Sequence, residues 1–283
     1  MNALKTTGKS KPIIALVVPN INHSFFSTIA DQLTSLAFSK GYLVSVFQSN
    51  EDYQQEFEII DTIISRKFAA VLVSISKNTI KCDHFRQLQE AGIPLVFFDR
   101  VCDEIVAPKV LIDNYEITCS ITEELIKKGN RRIALIVGSN DINVFRERQQ
   151  GYLDTLDKHG LSYRMPVVED EFSIEKGKDI FIKLWSSAER PDAIISSSIQ
   201  LTLGILLQTK LYKIKIPDKL DLISYVSHIS FKIIQPQVTI IDQPENEIAE
   251  FSFDFLEKMI LKKPIPENEM IKTVNAKIAL KKI

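Results

Sequence analysis

The sequence predicts an α/β protein of two similar Rossmann-like lobes, each a parallel sheet flanked by helices. Three observations predict it. Short β-branched runs alternate with amphipathic helical stretches along most of the 283 residues. Runs such as 69–75 (AAVLVSI) are apolar throughout instead of alternating, which fits strands covered on both faces. After Asp99-Arg100 and an irregular stretch, the strand–helix pattern restarts near residue 132, so two such units follow one another.

In order, residues 1–11 form a polar lead-in carrying Lys5, Lys9 and Lys11. Its Gly8-Lys9-Ser10 is not a phosphate-binding loop, because Ala3 stands where the first glycine belongs and the string precedes a strand. Strands read at 13–18, 42–47, 69–73 and 94–98, with helices at 24–39, 52–66 and 81–91. Phe25, Ile29, Leu33 and Leu36 recur at helical spacing, and Gly41 follows as a helix-ending glycine. Phe57, Ile60 and Ile64 mark the second helix. VLID (110–113) and a helix from Tyr115 to Lys128, closed by Gly129, end the first unit. The second has strands at 132–137, 166–169, 192–196 and 221–225 and helices at 146–159, 174–187 and 199–211. Ile180, Leu184 and Trp185 form an apolar stripe that reads as core. The tail adds a strand at 238–242, a helix from about Glu245 to Leu261, a KKPIPEN break and a strand around 271–280. These leftover pieces imply that the chain crosses back between the lobes, leaving a cleft where sheet edges face each other.

One wall of that cleft is predicted at Pro12–Phe26, PIIALVVPNINHSFF, which runs from a strand through a polar turn into a helix start. Asn20, Asn22 and Ser24 supply polar groups there, and Phe25 and Phe26 supply rings. A turn at 138–148 faces it from the second lobe.

Composition narrows the function. With 35 basic and 36 acidic residues, no global field draws the chain to nucleic acid or an anionic membrane. Cys82, Cys102 and Cys119 are odd in number and lack metal-ligand spacing, so neither a disulfide framework nor a metal site is expected, and a reducing cytoplasm fits best. The histidines at 23, 84, 159 and 228 are scattered. No apolar run approaches the roughly 20 residues of a membrane helix. G-x-S-x-G and G-x-G-x-x-G are both absent. Asp99-Arg100 at a strand end reads as an ion pair before an acid and its partner. No enzyme and no cofactor is expected.

Six stretches in order resemble the effector-binding region of the LacI/GalR family of bacterial transcription regulators. IIALVVPNINHSFF is similar to the family's IGVIVPDxxNPFF, GIPLVFFDR (92–100) to GIPVVxIDR, and VLIDN (110–114) to VxxDN. KKGNRRIALIVG (127–138) is similar to xLGHRRIAxIxG, RERQQGY (146–152) to RERxxGF, and TIIDQP (239–244) to TTVxQP. The resemblance implies a fold of the periplasmic binding protein-like type I kind. Its first lobe would hold 13–130 plus 240–264, its second 131–239 plus 265–283, and its three crossovers would lie near 113–131, 236–243 and 263–270. It further implies a homodimer, and operator DNA reached through a helix-turn-helix that this chain lacks. Residues 1–12 look like the remnant of the hinge to it.

Residue by residue, the resemblance carries a ligand site onto Asn20, Phe25 and Phe26, Arg100 and Asp113, Arg148, Phe172 and Gln243. The same alignment adds two departures. Ser197-Ser198-Ile199 stands for the family's AND, and Ser224-Tyr225-Val226-Ser227 for its GFDD. With Ser198 and Val226 where amide and acid belong, Arg148 loses a countercharge, and the expected effector is a sugar phosphate or sugar acid instead of a neutral hexose. The rival reading is a solute-binding protein of a sugar transport system, which would require a signal peptide or lipid-attachment cysteine ahead of residue 13.

Overall fold

The computed structural model describes residues 11–169, 171–226 and 237–279. Most of the lead-in, together with Asp170, Ser227 and His228, lies outside them.

Strand β1 (Ile13–Val18) shows why each lobe needs helices on both sides. Ile14, Leu16 and Val18 enter one apolar cluster, and Ala15 and Val17 enter another. Successive strand residues point to opposite faces, so a strand apolar throughout is stable only where both faces are covered. Strand β6 (Ile133–Val137) repeats the pattern, with Ile133, Leu135 and Val137 on one side and Ala134 and Ile136 on the other.

The first sheet joins β1 to β2 (Leu43–Gln48) on one side. On the other come β3 (Ala70–Val73), β4 (Leu95–Phe98), β5 (Lys109–Ile112) and, at the edge, β11 (Ile271–Val274). The second sheet matches it. Here β6 lies between β7 (Met165–Val168) and β8 (Ala193–Ser196), followed by β9 (Asp221–Val226), β10 (Thr239–Asp242) and the antiparallel edge strand β12 (Lys277–Ala279). In each sheet the chain leaves the first strand toward one neighbour and then crosses to the other. That reversal opens a crevice at the carboxyl ends of the strands. The helices are α1 (Ser24–Ser39), α2 (Tyr53–Ser65), α3 (Asp83–Glu90), α4 (Asn114–Lys128), α5 (Asn143–Lys158), α6 (Ile174–Trp185), α7 (Ile199–Leu211) and α8 (Glu245–Ile260).

The lobe boundaries differ from the sequence expectation at three places. Helix α4 packs along α5, with Tyr115 hydrogen-bonded to Asp154 and Thr118 to Tyr225, so the first pass through lobe one ends at 112 and not at 130. Gly151 permits that contact, because a methyl there would collide with the Tyr115 carbonyl. Strand β10 pairs with β9, which assigns 239–242 to the second lobe. The expected single strand at 271–280 is two strands in different sheets, β11 on β5 and β12 on β10. The crossings therefore fall at 113, 243–244 and 275–276. Helix packing and strand pairing decided these points, and neither is visible to local pattern.

The cysteines also depart from expectation. Cys82 at the start of α3 and Cys102 beyond β4 form a disulfide with Cα atoms 6.5 Å apart, while Cys119 is free. Both bonded residues belong to the apolar cluster on one face of the first sheet, which brings together positions that are 20 apart in sequence.

Candidate functional site

Between the lobes lies a cavity of about 520 Å³. Its lining comes from the residues that follow strands. Asn20, His23, Phe25 and Phe26 follow β1, Glu51 follows β2, Lys77 follows β3, and Asp99 and Arg100 follow β4. From the second lobe come Ser139, Phe145 and Arg148 after β6, Phe172 after β7 and Ser197 after β8, while Gln243 lies at a crossing. The site is the pair of crevices that the two sheet topologies create.

Arg148 is the central group. It is 3 % exposed, and its guanidinium carbon lies 3.6 Å from the centre of the Tyr225 ring. Its Nε donates to Asn114 Oδ1 at 2.8 Å and its Nη2 to Gln243 Oε1 at 3.3 Å. Among the described residues these direct partners are neutral, and Asp99 and Glu147 act on the guanidinium only at a distance. Burial disfavours its proton, yet an arginine keeps its charge in a protein. A buried cation with neutral neighbours is costly unless a bound anion completes it.

Arg100 faces it from the first lobe. Its Nη1 is 2.8 Å from both carboxylate oxygens of Glu51, and Glu51 also accepts the Lys77 N–H at 2.7 Å. The guanidinium carbon lies 6.0 Å from the Phe26 ring centre and 5.8 Å from that of Phe145. Asn50, Glu51 and Asp99 have φ of 54°, 60° and 57°, in the left-handed region that costs a non-glycine residue energy. Such conformations gather at functional sites, where surrounding contacts hold them. Asp99 is buried, and burial pushes its carboxyl up from the usual range. The lobes also touch directly, since Asn143 donates to the Asp99 carbonyl at 2.9 Å and accepts from the Val101 N–H at 3.3 Å.

His23 occupies the N-cap position of α1 and makes no side-chain cap hydrogen bond. Its ring centre is 5.8 Å from that of Phe26. Burial first, then the charges of Arg100 and Arg148, lower its pKa from 6.5 to about 4, with Glu51 acting in the opposite direction.

Of the ten sequence-predicted site residues, Asn20, Phe25, Phe26, Arg100, Arg148, Phe172 and Gln243 line the cavity. Three do not. Asp113 sits at the first crossing and accepts the Ala276 N–H at 2.7 Å. Ser198 caps α7 by accepting the Gln200 N–H. Val226 lies with Leu222 in a core cluster of the second lobe, whereas Ile223 and Tyr225 fall in the other cluster, so Tyr225 is the β9 residue that meets Arg148. Sequence reasoning missed His23, Glu51, Asn143 and Phe145. Only His23 carried a signal, standing where the family pattern has asparagine.

Two parallel-sheet lobes with a polar and aromatic cavity between them, crossed by the chain three times, define a binding protein for a small molecule. The chain belongs to the family described as periplasmic binding proteins and the sugar binding domain of the LacI family, whose model matches residues 11–279. It is the effector-binding region of a LacI-family regulator. The transcriptional repressor CytR of Escherichia coli K12 is 28 % identical over 237 residues, spanning 83 % of this chain and 69 % of CytR. The regulator NtdR of Bacillus subtilis is 26 % identical over 238 residues, 84 % of this chain and 71 % of its own. Among solved structures, Cra of Pseudomonas putida in complex with fructose 1-phosphate superimposes with a TM-score of 0.84 at 20 % identity, covering 96 % of this chain and 99 % of that one. These relatives are regulators and not enzymes, and no described helix is long and apolar enough to cross a membrane.

Proposed function

We propose that this chain senses a small sugar-like effector carrying an anionic group, a sugar phosphate or a sugar acid, and thereby controls operator binding by a cytoplasmic homodimer. The observation that carries the reading is Arg148, a buried guanidinium facing the cavity with neutral direct partners. An anion there would supply the missing countercharge, and a charge-assisted hydrogen bond contributes roughly 1.5–3 kcal/mol. Phe25, Phe26, Phe145 and Phe172 supply apolar faces for the ligand body, and Asn20 and Gln243 supply polar contacts. Apolar side chains exposed at α1 and the β2 edge (Phe38, Leu43, Val46) and along α7 (Leu207, Leu211) support association with a second copy.

A thermal-shift panel tests the effector class. It should include fructose 1-phosphate and ribose, which two structures of this fold contain, with gluconate and glucuronate beside them. Anionic members are expected to raise Tm and neutral ones to do little. Strong stabilisation by neutral sugars with the anions inert would overturn the reading.

A further inference from the structure

Five side chains make a ladder across the cleft. His23 lies against Phe26, Phe26 against Arg100, Arg100 against Phe145, and Phe145 against Arg148, with ring and guanidinium centres 5.8 to 6.0 Å apart. Two phenyl rings thus separate three groups able to carry positive charge, and the ladder spans both lobes. His23 fits its place in α1 poorly as a structural residue. Ser, Thr, Asp and Asn are preferred at an N-cap because a short side chain reaches the free N–H groups of the first turn. The His23 side chain makes no such bond, and among the described residues its buried Nδ1 has no hydrogen-bond partner.

The charges facing the ring come from three segments. Arg100 follows β4, Arg148 lies on α5, and Glu51 follows β2 and is already bonded to Arg100. Burial of the ring first, and then the two guanidinium groups, oppose its protonation. An anion between the lobes would reverse the balance by neutralising that cationic field and giving an imidazolium a partner.

We propose that His23 is a specificity residue of this cleft, closing on the anionic group of the effector together with Arg100 and Arg148 and taking up a proton as it does so. The inference rests on the anion-sensing reading above and adds its regulation, in which affinity for the effector rises as pH falls. The sign follows from linkage. The complex holds more protons than the free protein, so acid favours binding, by at most tenfold in Kd per pH unit for one site. At equal effector concentration the regulator would then respond more strongly in an acidified cell.

The probes are sulfate and glucuronate, which do not titrate between pH 5.5 and 8, with chloride holding ionic strength constant. Their Kd values are read from thermal shift or calorimetry across that range. In the unaltered protein both are expected to bind more tightly as pH falls, and calorimetry in buffers of different ionisation enthalpy should report proton uptake. His23→Asn should bind them more weakly with a flat pH response. His159→Gln, far from the cleft beside Glu123, should keep the slope. A flat response in the unaltered protein, or an equal slope in His23→Asn, overturns the His23 proposal and leaves the anion reading standing. No binding of sulfate, glucuronate, gluconate or fructose 1-phosphate at any pH overturns both.

Discussion

Replacing Arg148 with methionine separates a sensing residue from a structural one. The side chain keeps much of its apolar length and loses its charge. Two hydrogen bonds go with it, leaving Asn114 Oδ1 and Gln243 Oε1 without those donors. Leaving a buried acceptor unpaired costs about 1–3 kcal/mol. Against this stands the removal of a guanidinium that is 3 % exposed and faces neutral direct partners, a relief of several kcal/mol. The two effects nearly cancel, so urea unfolding of the ligand-free protein should shift by no more than about 2 kcal/mol in either direction. Binding should behave differently. One charge-assisted hydrogen bond of about 1.5–3 kcal/mol corresponds to about 10- to 150-fold in Kd. Calorimetry with the sugar phosphate or sugar acid that the panel selects should therefore show a loss of that size. A loss of stability above about 4 kcal/mol with Kd unchanged would mean that Arg148 is a packing residue and refute the reasoning.

Asn143→Ala removes the two hydrogen bonds between α5 and the Asp99–Val101 backbone. At about 1 kcal/mol each, their loss should open the ligand-free lobes, seen as a larger radius of gyration in X-ray scattering, and an unchanged radius would show that they do not hold the cleft shut. Reducing the Cys82–Cys102 disulfide, whose partners are 20 apart in sequence, should cost about 3 kcal/mol on the chain-entropy model, and a Tm indifferent to a dithiol reductant would contradict it. The unbound protein should lose stability as pH falls from 6.5 toward 4, because unfolded His23 takes up a proton in that window and folded His23 does not. His23→Gln should flatten that part of the profile, and an unaltered profile would show that other groups set it. Gly204→Ala should cost about 1–3 kcal/mol in urea unfolding, since a methyl there meets the Ile174 carbonyl where α6 and α7 cross, and an unchanged midpoint would mean that the helices can separate freely.

Local pattern carried most of the fold because strands buried on both faces must be apolar throughout, and β1, β3, β4 and β6 are. It failed where sheet pairing decides. Nothing within residues 271–280 shows that β11 and β12 belong to different sheets. Cavity-lining residues were legible where a motif carried them, as with Asn20 and Arg100 just past strands and Arg148 on α5. Val226 failed by strand parity, since it shares its face of β9 with Leu222, and the neighbouring Tyr225 carries the contact with Arg148. Glu51 was unreadable because its role rests on Arg100, which is 49 residues away, and on a backbone conformation with no sequence signature. The disulfide escaped for the same reason, as counting cysteines says nothing about which two a sheet brings together.

The same few residues explain how a ligand could move the lobes. Arg148 bonds to Asn114 at the first crossing and to Gln243 at the second. Asp113, beside Asn114, accepts the Ala276 N–H of the third crossing, and the Asp113 N–H donates to the Val274 carbonyl. All three passages between the lobes are thus tied to one guanidinium through at most two intervening residues. An anion that draws Arg148 toward the cavity would pull on Asn114 and Gln243 together, and through Asp113 on the segment that joins β11 to β12. A ligand shifts an equilibrium only by its differential affinity for the two states. Coupling of about 1–3 kcal/mol, the usual allosteric range, requires that Arg148 hold the ligand better in one lobe arrangement than in the other. That makes Asp113→Ala the discriminating variant. The methyl cannot accept the Ala276 N–H and leaves the bonds of Arg148 in place, so lobe closure, read by scattering with and without effector, should respond less. Closure as large as in the unaltered protein would show that the crossings move independently of this network.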